Sequence, residues 1–106
     1  MSIKISCGKG AENLSDYDKN LIKGLSEEYK KRIERHFNVN LFEIRVKCFS
    51  KEGNVKRYLI DARVIVPKFN FEASADERSL SIAVHKALKK IMNEIEHKTH
   101  LSNQGK

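Results

Sequence analysis

The chain contains no tryptophan, a single proline and two cysteines, and it has no run of apolar residues long enough to cross a membrane. Each shortage removes a class of function. A membrane span takes roughly 20 consecutive apolar residues. The opening MSIKISCGKG also lacks the apolar stretch and small-residue cleavage site of a secretory signal, so a cytoplasmic protein is expected. A basic helix that lies on a lipid surface carries Trp or Phe on its apolar side; here Trp is absent and the five Phe fall mostly in strand-like stretches, so no membrane partner is expected. Cys7 and Cys48 have no second Cys or His at ligand spacing, and two reduced thiols are the expected state. Cys48 continues an alternating apolar pattern and reads as a buried structural thiol.

Acidic residues are the remaining shortage. Fourteen Asp and Glu stand against 21 Lys and Arg, a formal net charge of +7 over 106 residues. A basic field of this size attracts polyanions, nucleic acid first.

The apolar residues that are present fall into six periodic segments. SIKIS alternates around Ile3 and Ile5, a short strand stopped by Gly8 and Gly10. Ser15 followed by Asp18 is an N-cap signal. Leu21, Ile22, Leu25, Tyr29, Ile33 and Phe37 then recur at three- and four-residue steps, which predicts a helix over residues 15–37. Gly24 inside it costs up to about 1 kcal/mol against Ala, and a close packing neighbour is expected there. In LFEIRVKCFS, Phe42, Ile44, Val46 and Cys48 point one way and Glu43, Arg45 and Lys47 the other. KEGN at 51–54 reads as a turn into VKRYLIDARVIV, where Tyr58, Ile60, Ala62, Val64 and Val66 share a face opposite Arg57, Asp61 and Arg63. Pro67 belongs at a turn or edge, and FNFEASA sets Phe69, Phe71, Ala73 and Ala75 on one side of a last strand. Ser74 with Glu77, or Asp76 with Ser79, can cap a second helix with the stripe Leu80, Ala83, Val84, Ala87, Leu88, Ile91 and Ile95, ending near His97.

These segments predict an α+β fold: a two-layer β-α-β-β-β-α domain with a four-stranded sheet and two helices packed on one face. Residues 1–98 are expected to form this single domain, and the polar tail 99–106 to fray. On the outer sheet face, Glu43, Arg45, Lys47, Arg57, Asp61 and Arg63 mix signs, and cross-strand pairing is the expected arrangement.

Catalytic constellations are missing. There is no Ser, His and acid arrangement and no metalloprotease spacing, and CGKG lacks the later Gly-Lys-Ser/Thr of a P-loop. His97 and His100 are three apart, but structural zinc takes four ligands and His36 and His85 lie in other segments. No enzyme activity, metal, cofactor or small-molecule substrate is expected. The basic residues carry the functional signal. From Glu77 to Glu94 there is no carboxylate, while Arg78, His85, Lys86, Lys89, Lys90 and His97 lie opposite the apolar stripe, with acids returning only at Glu94 and Glu96. The first helix adds Lys19, Lys23, Lys30, Lys31, Arg32 and Arg35, offset in part by Asp16, Glu27, Glu28 and Glu34. Two helices on one sheet face lie side by side, so their exposed surfaces are expected to merge into a positive ridge. Such a ridge suits structured RNA, whose grooves are recognised largely by shape and phosphate contacts. The candidate RNA-binding residues are Lys23, Lys30, Lys31, Arg78, Lys86, Lys89 and Lys90.

The segment FEASADERSLSIAVHKALKKI resembles the last strand and second helix of the ribosome hibernation promoting factors, the family that includes the ribosome-associated inhibitor and the sigma-54 modulation proteins. Ala73, Ser74 and Ala75 match an Ala-Ser-Ala-like turn, Ala83 a helical alanine and Lys90 a third-turn lysine. RIERHF before NVNLFEIRVKC is similar to the family's first helix stopping at a Phe before an extended strand, and the likeness covers about residues 2–98. The family commonly has an aromatic at Ser81, acids at His85 and Lys89 and an Arg at Asn93; the two acid positions are basic or ionisable here, which keeps or increases the positive face. The resemblance implies a short-form, monomeric translation inhibitor. It would bind small-subunit ribosomal RNA in the channel for messenger and transfer RNAs, under starvation or stress, with Lys90 as the family-matched contact. Two alternatives stand beside it. One is a double-stranded-RNA-binding module, although SIKIS and the long first helix are extra to that module and no Gly-rich loop precedes the lysines. The other is a small protein-interaction domain that uses the outer sheet face.

Overall fold

A computed structural model describes the backbone of residues 3–8, 10–12, 14–51 and 55–104, and within these the side chains of all but 50, 51, 55 and 99–104. The elements are β1 (Ile3–Cys7), α1 (Asp16–Ile33), β2 (Leu41–Lys51), β3 (Val55–Ile65), β4 (Asn70–Glu77) and α2 (Leu80–Gln104), in the expected order. They form one four-stranded sheet in the order β1-β2-β3-β4. β1 runs parallel to β2, and the other two pairs are antiparallel. Alternation sets the register. Phe42, Ile44 and Val46 face Val64, Ala62 and Ile60 across β2 and β3, and all six are buried. A slip of one residue would put Glu43, Arg45 and Lys47 in their place. Since burying each large apolar side chain contributes about 1.5–3 kcal/mol, that slip is heavily disfavoured.

The helices close the apolar side of the sheet. From α1, Ile22, Tyr29 and Ile33 enter the core, and from α2 the whole expected stripe does so, joined by Met92. Ser15 caps α1, its hydroxyl accepting from the Asp18 backbone N–H at 3.1 Å. Pro67 lies in the tight turn between β3 and β4, closed by Val66 N–H to Phe69 O at 2.9 Å and Phe69 N–H to Val66 O at 3.3 Å.

Several local expectations are corrected. α1 ends at Ile33 rather than 37, because the chain tightens into turns in which His36 and Phe37 N–H both bond to Ile33 O. Phe37 still reaches the core margin, edge-on to Phe69 at 5.7 Å. Gly24 has no close neighbour: a Cβ there would meet nothing within 4 Å. Neither Ser74 nor Asp76 caps α2, since β4 continues to Glu77; Ser79 does so, its hydroxyl 3.5 Å from Ile82 N. α2 runs past His97 to Gln104, and the sequence has no Gly or Pro to stop it before Gly105. Cys48 is half-buried, because a loop rather than a helix covers that end of β2. Gly10, at φ +81°, lays its backbone on Cys48 so closely that a Cβ would fall 1.7 Å from the Cys48 carbonyl oxygen. The 52–54 part of the expected turn and the side chain of His100 lie outside the described residues.

Candidate nucleic-acid interface

The sheet topology fixes how the two helices meet. β1 and β2 are parallel, so the crossover helix α1 runs opposite to both. Two antiparallel steps return β4 to the direction of β2, and α2 follows it back. The helices therefore run the same way. The pin between them is Tyr29, whose hydroxyl lies 2.7 Å from His85 Nδ1, with the rings edge to face at 5.5 Å. Tyr29 is thirteen residues past Asp16 and His85 five past Leu80, so α1 starts about 12 Å before α2 at 1.5 Å per residue. That stagger brings the basic last turn of α1, Lys30 to Arg32, alongside Lys86 and Lys89, and sets Lys23 level with the exposed Arg78 that precedes α2.

The seven candidates do not all share one face. At the seam, Arg32 lies over the Tyr29 ring at 5.0 Å. Burial pushes the Tyr29 phenol pKa up, and Arg32 opposes this through its charge and a side-chain hydrogen bond. Lys89, one turn past His85, is exposed beside this seam, whereas Lys31, a helical step of about 100° round from Arg32, is exposed toward the β1 edge. Lys86 and Lys90 lean toward β4 instead. Lys86 Nζ is 2.6 Å from Glu77, and Lys90 Nζ donates to the Ser74 carbonyl at 2.8 Å. Lys23, Lys30 and Lys31 border a groove of about 780 Å³ over Ile3 and Ile5 at the β1 edge, with Glu27 and Glu34 among them; Lys30 pairs with Glu34 at 3.6 Å.

The expected ridge is thus a central strip with two flanks. Arg32, His85 and Lys89 mark the centre, and Lys23, Lys30 and Lys31 on one side and Lys86 with Lys90 on the other form the flanks. Arg32 was absent from the candidates because one-dimensional spacing does not reveal that Tyr29 would be buried and its neighbour held at the helix seam. The acid-free run was also less free than it reads, because Glu77 folds over from β4 to Lys86. Surface pairs of this kind contribute about 0–1 kcal/mol, so a phosphate competes readily for Lys86.

The opposite side of the sheet is arranged differently. Glu43, Arg63 and Glu72 stand in one cross-strand row, with Lys4 to Glu43 at 4.0 Å and Arg63 to Glu72 at 3.8 Å. Arg57 reaches Asp76 at 2.7 Å, and Arg45 opposes Asp61 in register. Charges on this face answer one another, as the alternation predicts, and offer a phosphate little. Among the described residues no three of His, Cys, Asp and Glu converge as metal ligands, and no helix is long and apolar enough to cross a membrane.

No protein-family model matches the chain, and no curated protein sequence does. Solved structures do match. The chain is similar to the N-terminal domain of Protein Y from Thermus thermophilus, with a TM-score of 0.63 and 12% identity, covering 92% of this chain and 98% of that one. It is likewise similar to a ribosomal subunit interface protein from Coxiella burnetii, with a TM-score of 0.60 and 14% identity over 92% and 99%. At such identities the likeness establishes a shared fold across nearly the whole length of both chains, the fold that the sequence resemblance led us to expect.

Proposed function

We propose that this chain is a ribosome-associated translation inhibitor of the hibernation-factor kind. It binds small-subunit ribosomal RNA through its helical layer, in the channel where messenger and transfer RNAs pass. The observation that carries the reading is the conjunction of two facts. The fold is shared over 92% of this chain with a ribosomal subunit interface protein, and in this chain the helical layer of that fold gathers Arg32, His85 and Lys89 along one seam, with Lys31 exposed on the same layer. Lysine and arginine on exposed helices hold phosphates without reading bases, as binding to a folded RNA surface requires. The protein acts as a cytoplasmic binding factor rather than an enzyme and is monomeric when free.

Charge reversal tests the helical layer. Lys31 and Lys89 make no ion pair with a described residue, so Lys31→Glu with Lys89→Glu removes phosphate contacts without breaking an internal pair. Binding of this variant to purified small subunits is expected to weaken at least about tenfold. The slope of log affinity against log salt should fall by about one for each phosphate no longer held, with an unchanged thermal melt. Wild-type affinity and slope in the double variant would assign the two lysines to plain solvation.

A further inference from the structure

At the end of the domain where α1 finishes, an aromatic crevice opens beside the basic layer. Phe69, held by the Val66–Phe69 turn hydrogen bonds, is backed by Phe37 at 5.7 Å and Phe71 at 5.8 Å. Its remaining face is covered by Lys98, whose Nζ stands 4.7 Å from the ring centre. The space is about 450 Å³ and is walled by Phe69 and Phe71, with Asn70, Asn93, Glu94 and His97 around it. That volume lies within the roughly 300–1,000 Å³ of small-ligand sites.

We propose that this crevice receives one unpaired nucleobase, stacked on Phe69, from the RNA whose phosphates lie on the helical layer; the proposal rests on the reading of that layer as an RNA-binding surface. Three features select a base. The floor is a flat ring whose two neighbours prevent it from turning away. The rim amides of Asn70 and Asn93 each offer both a donor and an acceptor to a base edge, while the Glu94 carboxylate repels a phosphate. Continuity with the basic layer is built into α2: Lys89, Asn93 and His97 follow one another at four-residue steps, about 6 Å apart. A strand held at Lys89 therefore passes the rim.

Lys98 does not bar the way. An exposed cation over an aromatic ring is worth about two- to fivefold in an equilibrium, whereas stacking a base on such a ring is worth about 5- to 150-fold. The base displaces the ammonium, and the freed Lys98 remains within reach of the backbone phosphates beside it.

The absence of any native Trp supplies a direct test. Phe69→Trp places a single indole on the shelf, and its emission is followed during titration with a single-stranded octaadenylate and with an abasic octamer of equal charge. Anisotropy of labelled copies reports binding separately. Both oligomers are expected to bind at low salt, and only the base-bearing one should quench the indole. In parallel, Phe69→Leu, which keeps the apolar fill, should weaken octaadenylate binding by about 5- to 50-fold while leaving the abasic affinity and the thermal melt unchanged. Binding of octaadenylate without quenching, or at wild-type strength by Phe69→Leu, overturns this proposal and leaves the phosphate reading standing. Failure of both oligomers to bind overturns the two together.

Discussion

Glycine illustrates how one residue type takes opposite roles within twenty residues. Gly10 is required by geometry: its φ of +81° is disfavoured for a side-chain-bearing residue, and a Cβ would collide with the Cys48 carbonyl. Gly24 sits in an exposed stretch of α1 with open space around it, so its only effect on stability is the helix entropy it costs. Gly24→Ala should therefore raise the unfolding free energy by up to about 1 kcal/mol, whereas Gly10→Ala should lower it. Urea denaturation of the two variants checks both signs. From the sequence the two could not be separated, because a helical pattern around a glycine does not report whether a neighbouring chain approaches it. The same limit applies to Lys86, whose partner Glu77 lies nine residues away and meets it only after β4 and α2 fold together.

Elements were far more legible than contacts. Period-two alternation placed β2, β3 and β4 on their correct faces, and the stripe from Leu80 to Ile95 gave the buried side of α2 except for Met92. Less legible were the places where an element ends, because an ending is decided by what it packs on. α1 stops at Ile33 although its apolar steps continue to Phe37, which the following turns carry into the aromatic cluster. The helix seam was invisible for a similar reason: Tyr29 looked like one more stripe residue, and His85 like one more polar one. Burial at this seam gives Tyr29 a measurable pH signature. Burial raises the Tyr29 phenol above its ordinary 10.0, so the folded state holds that proton more tightly than the unfolded chain. The resulting stabilisation is present below about pH 10 and is lost as pH rises through the folded value. Tyr29→Phe should cost about 1 kcal/mol near neutrality. The gap between wild type and variant should narrow above pH 10; equal gaps in urea unfolding at pH 8 and pH 10.5 would exclude this role for Tyr29.

For the molecule as a whole, the net charge pointed to a polyanion but gave no surface. The fold supplies one by separating two kinds of charge. Across the outer sheet face, Lys4, Arg57 and Arg63 each find an acid on a neighbouring strand. Along the helical layer, the stagger of α1 against α2 sets arginine, histidine and lysine side by side. The positive ridge read from the two helices is thereby narrowed to a strip at their seam, with Lys23, Lys30, Lys31, Lys86 and Lys90 as flanks, and Lys90, the position that resembles the hibernation family's lysine, held against β4. A phosphate-driven attachment of this kind is strong at low salt and steeply weakened as salt rises, whereas a partner docked on the paired sheet face would stay bound. Sucrose-gradient sedimentation of stationary-phase lysate tests this most directly. The chain is expected to travel with the small subunit and intact ribosomes at low salt and to leave them at high salt. Its absence from every ribosomal fraction at low salt would contradict the account.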